Sequence, residues 1–363
     1  MKKIGVITMY RKNYGAFLQA YALQKMLDEI GYDAELIRYD YYKDRSVLGV
    51  PLEEFKKSPT TFAKKVLIEI VRYRQHRVRN KVFQKSVEKN LKESKEYYKT
   101  YRRLAQNPPR YDVVLTGSDQ VFSPFLSPQA KESRLLCFSD AVKVSYAASS
   151  GTVTFPEKYE KFLIKQLQGF RAISVREKDL CDFLSARLGR EVTQNIDPTL
   201  LLDAERWARF SKRPSDVSEG RKYIAYYGVG QTGKLKKSAE KLSEQMELPI
   251  LAMDGNEVFS HQIARSHFYS PEEWVGAIEN AEYVVTNSFH GTAFSVNFRK
   301  RALVVPPERN QERILNLLNP CGLQRLLNPE IIREKEREDL YAHTDAFLKK
   351  EQERAYEYLH RIG

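Results

Sequence analysis

Residues 4–31 read IGVITMYRKNYGAFLQAYALQKMLDEIG, and this stretch sets the fold class. A short apolar run, IGVITMY, gives way to the polar loop RKNYG. In the stretch that follows, Ala16, Ala20, Leu23, Leu27 and Ile30 recur at spacings of 4, 3, 4 and 3, one face of a helix that Gly31 is placed to end. The chain therefore opens as a Rossmann-like strand–helix unit. The same alternation continues through YDVVLTGSDQ (111–120), KVSYAASSG (143–151), RAISVREKDL (171–180) and NIDPTLLL (195–202), as expected for a parallel α/β sheet. The segment Lys212–Lys222, KRPSDVSEGRK, is polar and carries no apolar stripe, so it reads as a linker. A second series then begins with YIAYYGVG, LPILAMDG, AEYVVTNSFHG and KRALVVPP. Ser270-Pro271-Glu272-Glu273 reads as a capping box with proline at the first helical position.

The expected architecture is two Rossmann-like α/β domains facing across a cleft. An N-terminal domain spans 1–211 and includes a basic helical arm at 55–110. A linker follows at 212–222, then a C-terminal domain at 223–330 and a helical tail at 331–363. A ligand is expected in the cleft, at the carboxyl ends of the strands.

Composition narrows the function classes. The chain has 363 residues, 42% hydrophobic and 29% charged, and no apolar run of membrane-spanning length. Its N-terminus is too soon polar for a secretory signal, so a cytoplasmic location is expected. Cys137, Cys181 and Cys321 are too scattered for a disulfide frame or a zinc knuckle, and no metal site is expected. The net charge of +13 is confined to Phe55–Arg110, where 17 Lys and Arg face 4 Glu; the rest of the chain is balanced. In that arm Val66, Leu67, Ile70, Val71, Val78, Val82 and Phe83 fall at helical spacings. Its basic faces suit solvent or the anionic surface of a membrane, to which the arm would bind peripherally. No motif that reads nucleic acid accompanies it, and no nucleic-acid partner is expected.

Four strand ends offer chemistry. After AEYVVT, the residues Asn287, Ser288, His290, Gly291 and Thr292 lead into a helix expected over 292–298, whose free amides would form an anion site. His290 beside it suits anion binding or proton transfer, or a purely structural role. Arg176 leaves the apolar strand Ile173–Val175 and suits gripping a carboxylate or phosphate; a salt bridge to Glu177 or Asp197 is the competing reading. In LTGSDQ, Gly117 permits a sharp turn and Ser118, Asp119 and Gln120 offer polar groups, although Asp119 also suits an Asx turn. Asn13, Tyr14 and Gly15 occupy the place of a nucleotide loop, but GxGxxG is absent.

Taken in order, NYGAFLQAYALQ, YDVVLTGSDQVF, SYAASSG, SVREK, DPTLLLD, SPEEWVGAIENAEYVVTNSFHGTAFS, Asn310 with Arg313, and GLQR resemble the polysaccharide pyruvyl transferase family from Met1 to about Leu327. The resemblance implies a fold similar to GT-B glycosyltransferases. It also implies transfer of the enolpyruvyl carbons of phosphoenolpyruvate to a sugar of a cell-surface polysaccharide or its lipid-linked precursor, with no cofactor. It places Arg176 and His290 on the family's phosphoenolpyruvate-binding arginine and histidine. Ser288-Phe289 stands where the family often has Arg-Leu, and Phe122 where relatives often carry a Trp that would stack on the acceptor sugar. Asp119 is the expected base for the attacking hydroxyl, and His290 the expected acid. A sugar-nucleotide glycosyltransferase and a non-catalytic anion- or RNA-binding protein using the arm are the rival readings.

Overall fold

The computed structural model describes residues 1–11, 13–39, 77–253, 257–263, 268–308, 311–328 and 330–363. Residues 40–76, which include 55–76 of the expected basic arm with Val66, Leu67, Ile70 and Val71, and likewise Asn310, lie outside the described residues.

Two parallel sheets organise the chain. The N-terminal sheet contains β1 (Lys3–Ile7), β2 (Asp33–Tyr39), β3 (Glu93–Tyr98), β4 (Val113–Thr116) and β5 (Val142–Ser145), in the order β3-β2-β1-β4-β5. Every neighbouring pair is parallel. Two short strands, β6 (Ser174–Val175) and β7 (Thr193–Gln194), extend it through single bridges from Val144 to Ala172 and from Ala148 to Val175. The C-terminal sheet joins β8 (Ile224–Tyr227), β9 (Ile250–Ala252), β10 (Tyr283–Thr286) and β11 (Ala302–Val304) in the order β11-β10-β8-β9, again all parallel. Strands buried on both faces need helices to cover them, which explains their near-continuous apolar composition.

The first helix, Tyr14–Ile30, starts at Asn13, whose side chain accepts from the Ala16 amide. It ends at Gly31 in the left-handed region at φ 97°, as its place in the sequence implies. The capping box forms as read: Ser270 N donates to Glu273 at 2.9 Å and Glu273 N donates to Ser270 Oγ at 3.2 Å.

The basic stretch departs from an all-helical expectation. Residues 77–90 are helical, but Glu93–Tyr98 is an edge strand alongside β2. Here tertiary pairing overrides helix-forming composition: the Arg38 amide donates to Ser94 Oγ at 2.9 Å, and Tyr98 is buried against the sheet. The helical residues 77–90 bind the C-terminal domain through Ser86 and Asn90, which donate to the buried Glu272 carboxylate at 2.7 and 2.8 Å.

The two domains share one apolar core. Tyr14 stacks on Trp274 at 5.5 Å between centroids and donates its hydroxyl to the Tyr269 carbonyl. The last helix, Thr344–Arg361, crosses back to the N-terminal domain: Gln352 donates to the Leu200 carbonyl at 2.7 Å and Tyr358 to the Ser145 carbonyl at 2.8 Å. Between the domains Lys212 donates its amide to the Glu272 carbonyl, and Val217 is buried. Among the described residues no helix is long and apolar enough to cross a membrane.

Candidate functional site

The carboxyl ends of β4, β6 and β10 converge on one buried carboxylate, Asp197. The Arg176 guanidinium leaves β6 and places Nη1 at 2.6 Å from Asp197 Oδ2. His290 arrives from the other domain with Nε2 at 3.9 Å from the same oxygen. Ser118 Oγ lies 3.2 Å from it, while Oδ1 accepts from the Thr199 amide and hydroxyl at 3.0 and 2.8 Å. Asp197 is 1% exposed, Arg176 6% and His290 8%. A fixed anion thus sits between two cation-capable groups, and charge in such a dry place acts with far less screening than in water.

Arg176 is clamped from three sides. Its Nε is 3.3 Å from Glu177 Oε1, which also accepts from Ser149 Oγ at 2.7 Å, and its guanidinium lies 4.6 Å over the Phe289 ring. The salt-bridge reading of Arg176 is therefore realised with both expected partners. One corner remains open: among the described residues Arg176 Nη2 has no hydrogen-bond partner, nor does His290 Nε2. Buried polar groups are seldom left so, and at a strand-end cleft such corners are where a ligand would bind.

Burial pushes the His290 imidazole below its ordinary value, against Asp197 and Asp119, which pull it up; Arg176 and Arg313 push it further down. Burial thus works against the charged imidazole in the ligand-free site. Burial works to raise the Asp197 carboxyl, but His290, Arg176 and the Thr199 hydrogen bonds outweigh it and hold Asp197 ionised. Burial opposes charge on Arg176 too, and Glu177 and Asp197 more than restore it.

The structure uses the sequence-selected residues in different ways. Asp119 takes φ 74°, a left-handed conformation that aspartate tolerates better than most side chains, and its charge reaches Arg176, His290 and Arg313. Gly15 is the floor under His290: a Cβ there would lie 2.0 Å from Nδ1. Asn13 and Tyr14 serve the helix cap and the domain contact described above. Gly117 packs against Thr8, and Ser118 is fully buried with its hydroxyl 2.9 Å from the Ala147 carbonyl. Gln120 lies against Gly151.

Asn287 ties the loop after β8, accepting from the Val229 amide at 2.7 Å and donating to the Val229 carbonyl at 2.9 Å. The helix after β10 begins earlier than expected, spanning Phe289–Asn297 with Ser288 as N-cap accepting from Gly291. The cap moves the start because the Ser288 side chain satisfies a first-turn amide. His290 consequently sits within the first turn, and the Thr292 hydroxyl donates to the Ser288 carbonyl at 2.9 Å.

Phe122, expected near an acceptor sugar, is fully buried in the N-terminal core, and Phe125 is the exposed aromatic of that loop at 87%. Sequence reasoning also passed over Phe289 as the surface under Arg176. An aromatic residue beside a histidine carries no signal of such a role until the two domains are docked.

The family profile described as Polysaccharide pyruvyl transferase matches residues 13–309, most of the chain. Among solved structures, a protein assigned as the UDP-N-acetylglucosamine 2-epimerase of Listeria monocytogenes is similar over 99% of this chain and 91% of that one, at 10% identity and a TM-score of 0.50. S. aureus MnaA, solved with UDP, is similar over 96% and 95%, at 11% identity and a TM-score of 0.50. These likenesses show the fold, the two-domain GT-B-like arrangement. No protein with a curated description matches the chain significantly.

Proposed function

This chain belongs to the polysaccharide pyruvyl transferase family, and from that membership together with the charges of the cleft we propose that its donor substrate is phosphoenolpyruvate. The enolpyruvyl carbons pass to two hydroxyls of a sugar of a cell-surface polysaccharide or its lipid-linked precursor. In the overall step the methylene carbon gains one proton and becomes the methyl group. C2 forms two bonds to sugar oxygens, its bond to the phosphate oxygen breaks, and phosphate leaves with the second hydroxyl proton.

The observation that carries the reading is the pair of unpartnered nitrogens, Arg176 Nη2 and His290 Nε2, on side chains buried around one ionised aspartate. A donor bearing a carboxylate and a phosphate matches that charge pattern. Arg176 would hold one of these anions through its remaining corner. The His290 imidazole gains proton affinity when the donor's negative charge arrives beside it. His290 is thereby suited to deliver the proton to the methylene carbon, and the positive end of the helix Phe289–Asn297 to stabilise departing phosphate. Asp119 is the group we assign to accept the proton of the attacking hydroxyl.

The test is phosphate release from phosphoenolpyruvate by the purified full chain. It is supplied with galactosides, glucosides and mannosamine derivatives, free and lipid-linked, with UDP-sugars as the contrasting donors. Acceptor-dependent phosphate release supports the reading. Turnover of a UDP-sugar with phosphoenolpyruvate untouched would instead make the protein a glycosyltransferase.

A further inference from the structure

We propose that Arg313, with Asn316 beside it, is a second cationic clamp on the donor's phosphate, closing from the C-terminal domain the anion site that Arg176 opens from the N-terminal one. The proposal rests on the reading of the cleft as a phosphoenolpyruvate site and adds two residues to it. Arg313 and Asn316 lie three residues apart on the helix Glu312–Leu318, a spacing that puts them on one face. Both line a cavity of about 120 Å³ whose other walls include Arg176, Asn195, Asp197 and Phe289.

Three donors around this cavity are buried with nothing to donate to. Among the described residues, Arg313 Nε, Asn316 Nδ2 and Arg176 Nη2 have no hydrogen-bond partner. Folded interiors satisfy nearly all such groups, so three together, from two domains and facing one small cavity, describe a site whose acceptor is a ligand. The charges agree. Burial and then the charge of Arg176 lower the proton affinity of the Arg313 guanidinium, with Asp119, Glu177 and Asp197 offsetting part of this. Two guanidiniums held near one another out of water repel, and an anion between them removes the repulsion.

The cavity, about 120 Å³, has room for a phosphate-sized group. Arg313 also lines a neighbouring cavity of about 590 Å³ alongside Glu177, Phe125 and Thr152, within the range of sites for larger organic ligands. The side chain therefore stands at the boundary between an anion-sized space and a larger one, where a phosphate leaving toward Arg313 would separate from an acceptor on the other side.

Calorimetric titration of the full chain with phosphoenolpyruvate and, separately, with inorganic phosphate tests this on the parent, Arg313→Gln and Arg313→Lys. The expected result is that Arg313→Gln loses about tenfold or more in affinity for both probes, the scale of one charge-assisted hydrogen bond, and Arg313→Lys loses less. The ligand-free Arg313→Gln protein should melt at the parent's temperature or above it, because a repulsion has been removed. Parent-like phosphate affinity in Arg313→Gln overturns the proposal. So does a lower ligand-free melting temperature, which would mark Arg313 as structural. If the parent binds phosphate but not phosphoenolpyruvate, the donor reading fails while Arg313 is still judged on phosphate. A parent that binds neither probe overturns both.

Discussion

Replacing Asp197 by Asn tests whether the carboxylate holds the two domains' cations in place. The side chain is 1% exposed and its two oxygens divide their work. Oδ1 accepts from Thr199 twice, and the Asn side-chain carbonyl can keep that cap. Oδ2 accepts from Arg176 at 2.6 Å with Ser118 at 3.2 Å, and an Asn amide would turn N–H groups toward a guanidinium there. The substitution therefore removes one charge from a buried cluster while leaving shape and cap intact. Breaking a buried pair from one side costs about 3–5 kcal/mol, and the Glu177 contact that Arg176 keeps places the expected loss toward the lower end of that range. Urea unfolding followed by the fluorescence of Trp207 and Trp274, one in each domain, would measure it. A second comparison isolates the pair: Asp197→Asn combined with Arg176→Gln should lose less than the two single losses added, since each single variant already breaks their shared contact. A loss below about 1 kcal/mol, or a double variant as unstable as the two single losses added, would refute the reasoning.

Two further outcomes follow from the same contacts. Gly15→Ala should destabilise the protein and reduce turnover, although alanine in a helix usually gains about 1 kcal/mol over glycine, because its Cβ would meet His290 Nδ1 at 2.0 Å; thermal melting and phosphate release check both effects, and a stabilised, fully active variant would contradict the contact. Burial holds the His290 pKa below 6.5, so the unfolded chain binds the proton first as the pH falls. Stability contributed by the neutral imidazole is present above that value and is lost as pH drops toward the folded pKa. Unfolding free energies between pH 5 and 7 should then slope less steeply in His290→Gln, by up to about 1.4 kcal/mol per pH unit, and equal slopes would mean that His290 does not titrate this way.

Much of the framework was legible because its signals are local. The capping box at Ser270, the Gly31 stop and the strand-end positions of Arg176 and His290 need only a few neighbouring residues to be read. Glu93–Tyr98 was not legible, because its strand state comes from pairing with β2, some 56 residues earlier in the chain, against a composition that favours helix. The start of the helix at Phe289 depended on whether Ser288 capped it or merely preceded it, a difference of one side-chain rotamer. Asp197 could be named as one of two partners for Arg176, but its place as the shared neighbour of Arg176, His290 and Ser118 required three strand ends to be assembled. Arg313 stood with Asn310 among the residues of the family resemblance, but its place beside the site depends on where the helix Glu312–Leu318 docks, lining one cavity with Arg176. The aromatic exchange in the loop after β4 has the same origin, since packing of the N-terminal core decided that Phe122 is buried and Phe125 exposed.

Calorimetric titration of phosphoenolpyruvate into the parent, Arg176→Lys and His290→Gln, with phosphate-release rates on the same preparations, decides whether Arg176 and His290 form the donor site from opposite domains. Lysine keeps the charge of Arg176 but loses its planar fork, so donor affinity should fall about tenfold or more. Glutamine at 290 can still hydrogen-bond but carries no proton, so turnover should fall much further than donor affinity. Parent-like binding and turnover in both variants would mean that neither residue serves the donor.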